Sequence, residues 1–216
     1  MSRKYQAFVW LLTVWLLGAG CASAPLSPLP PEQAPQAAAP PESGTPDQVR
    51  LKEALTGREL SPGEVAGLSD RLLASGNEVS DQDMARLELL LLKALKGPDK
   101  AHHAALWRNL GIIHYHQKKY KQARQELQAS NEMNPKNART HYYLARLFVQ
   151  QGKIYKLQSR SPNFSKDDRA ARELELKSRQ QFKRATIEME QARKIEPSNP
   201  LYRQDPREII RQEQGI

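Results

Sequence analysis

The chain falls into three stretches by the placement of its apolar residues. Tyr5–Leu17 is a nearly unbroken apolar block, "YQAFVWLLTVWLL". Residues 22–48 hold almost no large apolar side chain. From residue 49 onward apolar positions recur at three- and four-residue intervals, the period of a helix with one buried face. Sustained two-residue alternation is missing, so strands are not expected. The spacing predicts helices near 48–56, 62–75, 81–96, 101–116, 119–133, 138–160, 166–195 and 206–213. Punctuation supports these limits: "SPGE" at Ser61–Glu64 is a capping box with proline at the first helical position. Ser80 and Asp83 form a weaker cap, and Gly97–Pro98 is a stop. The predicted fold class is all-α.

A repeat refines this picture. In "ALWRNLGIIHYHQKKYKQARQELQASNEMNP", Trp107, Leu110, Gly111, Tyr115, Tyr120, Ala123, Leu127, Ser130 and Pro135 resemble the tetratricopeptide repeat over Ala104–Asn137. His114 stands where that family usually has tyrosine. Gly111 and Ala123 are small enough to let two helices approach closely. Trp107, Leu110, Tyr120 and Leu127 are expected to fill the seam between helices, and Pro135 to end the second one. A second copy is split. "THYYLARLFVQQGKI" matches a first helix through Leu144 and Ala145. "FKRATIEMEQARKIEP" matches a second helix through Phe182, Ala185, Met189, Ala192 and Pro197. Equivalent positions lie 62 residues apart (Ala123 to Ala185, Pro135 to Pro197), so the 34-residue period has gained about 28 residues, roughly Tyr155–Gln181. The expected geometry lengthens both helices by about 14 residues each, a protruding hairpin of about 20 Å. Upstream, Ala85, Leu89 and Leu92 resemble the second helix of a degenerate repeat, with 62–75 as its first. The resemblance therefore implies a short tetratricopeptide-type helical solenoid with an extended helical hairpin inserted in its last repeat.

The N-terminal block changes the expected location. Arg3 and Lys4, then the apolar run, then Gly18–Gly20 give the basic–apolar–small order of a secretory signal. The run is shorter than the roughly 20 residues that span a bilayer core. Cys21 is the one cysteine, and "LGAGC" resembles the lipobox of bacterial lipoproteins, although Leu17 lies four places before Cys21 rather than three. The resemblance implies a lipid on Cys21, and Ala22 after it implies an outer-membrane address in a Gram-negative bacterium, facing the periplasm. The alternative is an ordinary signal peptide cut near "CASA". Eight of the 15 prolines lie in 22–48, a composition that favours extended polyproline conformations and reads as a tether. The expected organisation is a signal peptide (1–20), lipidated Cys21 with a proline-rich linker (21–48), N-terminal helices with the degenerate repeat (49–100), a repeat (101–137), a repeat with the inserted hairpin 155–181 (138–200), and a C-terminal helix and tail (201–216).

Charge and chemistry narrow the function. The chain has a formal net charge of +9. In an exported protein that points away from nucleic acid and towards lipid headgroups, anionic envelope polymers or acidic protein surfaces. The five histidines form no i, i+4 zinc pair, and there is no phosphate-cradling glycine loop or nucleophile elbow. No catalytic residue, metal or cofactor is expected, and an enzyme is not. A binding surface remains. The family's register implies that Arg108, Ile112, Tyr115, Arg139, Tyr142 and Arg146 face a concave groove, with Asn109 and Tyr143 close by. Arginines and tyrosines suit acidic or C-terminal peptide segments. The expected function is a non-enzymatic scaffold that assembles an envelope machine. The combination resembles type IV pilus pilotins and the repeat lipoproteins of gliding-motility and secretion machineries. The alternative is a lipoprotein that recruits or regulates peptidoglycan-active enzymes and so lies near peptidoglycan.

Overall fold

The structure is a computed structural model that describes residues 45–74, 79–161, 168–205, 208 and 211. Its elements are α1 (Pro46–Thr56), α2 (Pro62–Ala74), α3 (Asp81–Leu95), α4 (His103–His116), α5 (Tyr120–Met133), α6 (Ala138–Ser159), α7 (Asp168–Ile195) and α8 (Pro200–Arg203). No strand occurs among the described residues, and no helix there is long and apolar enough to cross a membrane. Cys21, the signal segment and most of the helix expected at 206–213 lie outside the described residues.

Local chemistry sets the helix starts. At α1 the Thr45 side chain accepts from the Gln48 amide at 3.4 Å, while the Thr45 amide donates to Gln48 Oε1 at 2.9 Å. This capping box places the start two residues earlier than the apolar pattern did. Ser61 and Glu64 complete the same reciprocal pair at α2. Hydrogen bonds from the Ser61 amide and hydroxyl hold the Glu64 carboxyl below its usual range. Ser80 and Asn137 accept from Asp83 and Thr140 amides at the heads of α3 and α6.

The helices pack as successive antiparallel neighbours, α4 with α5 and α6 with α7, so the fold is an all-α solenoid of the tetratricopeptide type. Three apolar clusters run along it. The first joins α1, α2, α3 and α4 through Leu51, Leu68, Leu87, Leu91, Leu106 and Leu110. The second joins α4 through α7 around Ile112, Leu127, Leu144, Phe148 and Ala185. The third joins α6, α7 and α8 through Ala145, Met189, Ala192 and Tyr202. The seam residues expected from the repeat do not share one seam. Leu110 and half-buried Trp107 belong to the first cluster, while Leu127 and half-buried Tyr120 belong to the second. A helix in the middle of a solenoid must cover a neighbour on each side. Pro135 and Pro197 sit exposed in the turns after α5 and α7.

Two glycines mark the closest approaches. A Cβ on Gly111 would lie 2.7 Å from Leu127 Cγ and 3.1 Å from the Ala123 carbonyl oxygen of α5. A Cβ on Gly152 would lie 2.6 Å from the Phe182 ring, and beside it the Ser178 hydroxyl donates to the Gly152 carbonyl at 2.8 Å. Gly152 and Ser178 thus dock the root of the inserted arms.

The degenerate repeat needs a correction. On α3 the buried apolar residues are Leu87, Leu90, Leu91 and Ala94; Ala85, Leu89 and Leu92 face solvent. Leu87, Leu91 and Ala94 reproduce the spacing of Ala123, Leu127 and Ser130. A two-residue shift turns a helix by about 200° at 3.6 residues per turn, and the leucine run in "LELLLLKAL" offers apolar residues to either register. The hairpin is also asymmetric. α6 has 22 residues and α7 has 28, against 14 each in α4 and α5. Arms of eight and 14 additional residues replace the equal arms expected.

Candidate functional site

The first helices of the pairs, α2, α4 and α6, line a concave groove of about 630 Å³ that α8 closes at one end. Its wall includes Asp70, Arg108, Arg139, Tyr142, Tyr143 and Tyr202, with Leu201 at the rim. Helical spacing explains the array: Arg139, Tyr142, Tyr143 and Arg146 recur on one face of α6 at three- and four-residue steps.

The arginines are engaged within the protein. Arg108 is 8% exposed, and one guanidinium nitrogen donates to both carboxylate oxygens of Asp70, at 2.5 and 2.6 Å. Its Nε donates to Asn109 Oδ1 at 3.1 Å. Arg139 reaches the same Asp70 oxygen at 3.3 Å. One acid on α2 therefore gathers an arginine from each of the next two first helices. Arg146 lies over the rings of Tyr115 and Tyr142, 5.7 and 5.8 Å from their centroids, and donates to both hydroxyls at 3.0 and 3.1 Å. The aromatic side chains continue edge to face, Tyr115 with Tyr143 at 5.6 Å and Tyr143 with Tyr142 at 5.3 Å, and then tilted, Tyr142 with Tyr202 at 5.4 Å. Burial raises the Tyr143 hydroxyl pKa, and burial with nearby Glu196 pushes that of Tyr202 up to about 12. Both phenols stay neutral donors at physiological pH. Burial, then Arg146 and Arg139, lower the pKa of His116, which keeps that ring neutral at the edge of the array.

The sequence placed Arg108, Arg139 and Tyr142 in this groove, and all three line it. Tyr115 and Arg146 adjoin it through the tyrosine array. Ile112 requires correction. It is fully buried in the second cluster, because its direction on α4 points to α5 and α6 rather than into the groove. Asn109 is also closed off, donating to the Ala66 carbonyl at 3.3 Å and the Ser69 hydroxyl at 2.7 Å. Asp70, Leu201 and Tyr202 were not among the expected residues. Asp70 lies 38 residues before Arg108 on a helix whose repeat is degenerate. Tyr202 belongs to a four-residue helix capped by Asn199, too short for any periodic signal.

Two buried histidines brace the helices behind the groove. His114 on α4 is 4% exposed; its Nδ1 lies 2.7 Å from Glu126 on α5, and its Nε2 3.2 Å from Glu88 on α3. Burial raises the Glu126 pKa against the pull of His114. Burial acts in the same direction on Glu88, but hydrogen bonds from Gln117 and His114, with Lys119 nearby, leave it below its usual range. His141 on α6 meets Glu188 on α7 at 2.7 Å and the Pro135 carbonyl at 2.9 Å. The Glu188 bond raises its pKa despite burial. A folded pKa above the unfolded value of about 6.5 gives stability that is fully present below pH 6.5 and is lost as pH rises through the folded pKa. His141→Gln should therefore lower the melting temperature at pH 5.5 more than at pH 8.5. Paired melts across that range check it, and an equal loss at both ends would contradict it.

The family model of the tetratricopeptide repeat matches residues 104–137, which hold α4 but for its first residue and all of α5. No curated protein and no solved structure matches the chain significantly.

Proposed function

We propose, for a chain that contains a tetratricopeptide repeat and hence a protein-interaction module, that the α2–α4–α6 groove receives a segment of a partner protein and that the chain works as a non-enzymatic scaffold. The observation that carries this reading is the tyrosine-walled concavity of about 630 Å³ with exposed Leu201 at its rim. Tyrosines give large, rigid contact area with a hydroxyl for hydrogen bonding, the composition of interface anchors. The partner differs from the acidic peptide expected from arginine content. Asp70 already offsets Arg108 and Arg139, and Glu196 adds a second acid to the lining. A segment that offers apolar or aromatic side chains, with polar groups for Asn137 and Asn199, fits this wall better than an acidic tail.

The lipobox-like "LGAGC" and the proline-rich stretch behind it support the finer reading. A lipid on Cys21 holds the scaffold at the outer membrane, where it serves an envelope machine such as a gliding, pilus or secretion apparatus. One preparation tests both parts. Cells fed labelled palmitate should label the wild type and leave Cys21→Ala unlabelled, and crosslinking with mass spectrometry on the same membranes should place partner crosslinks near the groove. Label in Cys21→Ala would overturn the anchor. Crosslinks confined to other surfaces would overturn the groove.

A further inference from the structure

The inner face of α7 is fixed by packing. Ser178, Ala185, Met189 and Ala192 are buried; the Ser178 hydroxyl donates to the Gly152 carbonyl of α6, and the other three belong to the apolar clusters. The opposite face is turned outwards. At about 100° per residue, Arg172, Leu176, Lys183, Ile187, Glu190 and Lys194 lie within about 40° of one line, and all six are exposed. At 1.5 Å per residue that line runs for about 33 Å. Of the six, only Glu190 is acidic. Arg172, Lys183 and Lys194 form no ion pair among the described residues. Glu173 and Glu175 beside the line are already matched by Lys177 and Arg179, at 2.7 and 3.0 Å. Packing does not explain the two apolar positions. Ile187 stands 62 residues after Gln125, an exposed polar residue of the equivalent helix α5. Leu176 lies in the inserted arm, which the repeat does not need. The two are about 16 Å apart along the helix, with Lys183 between them. A protein interface gathers its apolar side chains into a core ringed by polar ones. Single apolar side chains spaced among cations on an exposed helix suit the headgroup layer of a bilayer instead. There the apolar tips enter the acyl boundary, while lysine stems keep their ammonium groups at the phosphates. Two of the three cations are lysines, compact charges that serve a diffuse anionic surface better than the fixed geometry of one carboxylate.

We infer that this outer face of α7 is a contact surface for an anionic lipid bilayer, with Lys183 and Lys194 at the headgroups and Leu176 and Ile187 dipping below them. The attraction weakens with ionic strength, because the cations are solvated. The face shares no residue with the groove lining, and the inference stands whether or not Cys21 carries a lipid.

The test uses the full chain with Cys21→Ala, which removes the acylation site and the one native thiol. An environment-sensitive fluorophore is attached through Ile187→Cys and, in a separate protein, through Gln125→Cys. Each is titrated with phosphatidylcholine vesicles, with mixed phosphatidylcholine–phosphatidylglycerol vesicles and with polyglutamate. Expected is brighter, blue-shifted emission from position 187 on the phosphatidylglycerol vesicles only, weakened by salt, with no such change from position 125. Lys183→Glu/Lys194→Glu should weaken the response of position 187 at least about tenfold, as loss of two lysine contacts with an anionic surface implies. Lys121→Glu/Lys136→Glu, the same change of charge at exposed positions elsewhere, should leave it within about threefold. Circular dichroism establishes that each variant is folded. No response from position 187 to phosphatidylglycerol vesicles, an equal response from position 125, or equal loss in the two charge-reversed variants would overturn the surface. A response to polyglutamate without one to vesicles would overturn it as well and assign the face to an acidic protein.

Discussion

Gly111→Leu is expected to destabilise the protein by more than about 2 kcal/mol. Overpacking a close contact costs about 1–3 kcal/mol and more where backbone must move. Here the first added carbon already meets Leu127 Cγ at 2.7 Å and the Ala123 carbonyl oxygen at 3.1 Å. Leu127 is fully buried and Ala123 contributes backbone, so neither can swing aside as a flexible side chain would. The helices α4 and α5 must separate, and both belong to the second cluster, so the strain spreads into α6 and α7. Gly67→Ala provides the internal comparison. Its Cβ would meet only the Arg71 side chain, at 3.6 Å, and replacing a helical glycine where there is room gains about 0.5–1 kcal/mol. Thermal or urea melts of both variants read the difference, and a Gly111→Leu melt superimposed on the wild type would contradict the packing.

His114→Leu is expected to cost about 2–4 kcal/mol at pH 7. Removing His114 takes a buried hydrogen-bond partner from each of two carboxyl groups, and an unsatisfied buried polar group costs about 1–3 kcal/mol, more for a charged one; partial exposure of Glu88 reduces it. Two carboxylates on α3 and α5 would then face each other across the lost imidazole. Glu126 is already pushed up by burial, and removing His114 takes away the interaction that opposes this. A carboxyl whose folded pKa exceeds its unfolded value of about 4.3 costs stability as pH rises through the folded pKa and costs nothing well below both. The deficit of His114→Leu should therefore shrink as pH falls from 7 towards 4, and Glu126→Gln in the same background should recover part of it at pH 7. Urea unfolding at the two pH values measures this; a deficit independent of pH would refute the electrostatic account.

Most of the fold was legible because helices announce themselves twice, by apolar period and by caps. "SPGE" formed the capping box its spacing required. The 62-residue separation of equivalent positions locates the inserted hairpin. What stayed hidden has particular causes. The register of α3 could not be read because a run of leucines satisfies two helical faces, and only packing against Leu68, Leu106 and Leu110 decides between them. The unequal arms escaped notice because the period fixes the total insertion and not its division. In the groove, the arginines and tyrosines were visible through their repeat positions. Their state was not, because Asp70 lies in the helix where the repeat signal is weakest, and its contact with Arg108 and Arg139 spans 38 and 69 residues. Ile112 was misplaced for a related reason: one helical position separates the groove wall from the core beneath it.

The central claim is that the concave face of α2, α4, α6 and α8 holds the partner. A photo-activated crosslinking residue placed at Leu201, 52% exposed at the groove rim, and separately at Leu89, 62% exposed on the solvent face of α3, tests it most directly in the native cell. A discrete protein adduct is expected from position 201, absent from position 89, with a crosslinked peptide that carries apolar or aromatic side chains. A discrete adduct from position 89 with none from position 201 would contradict it.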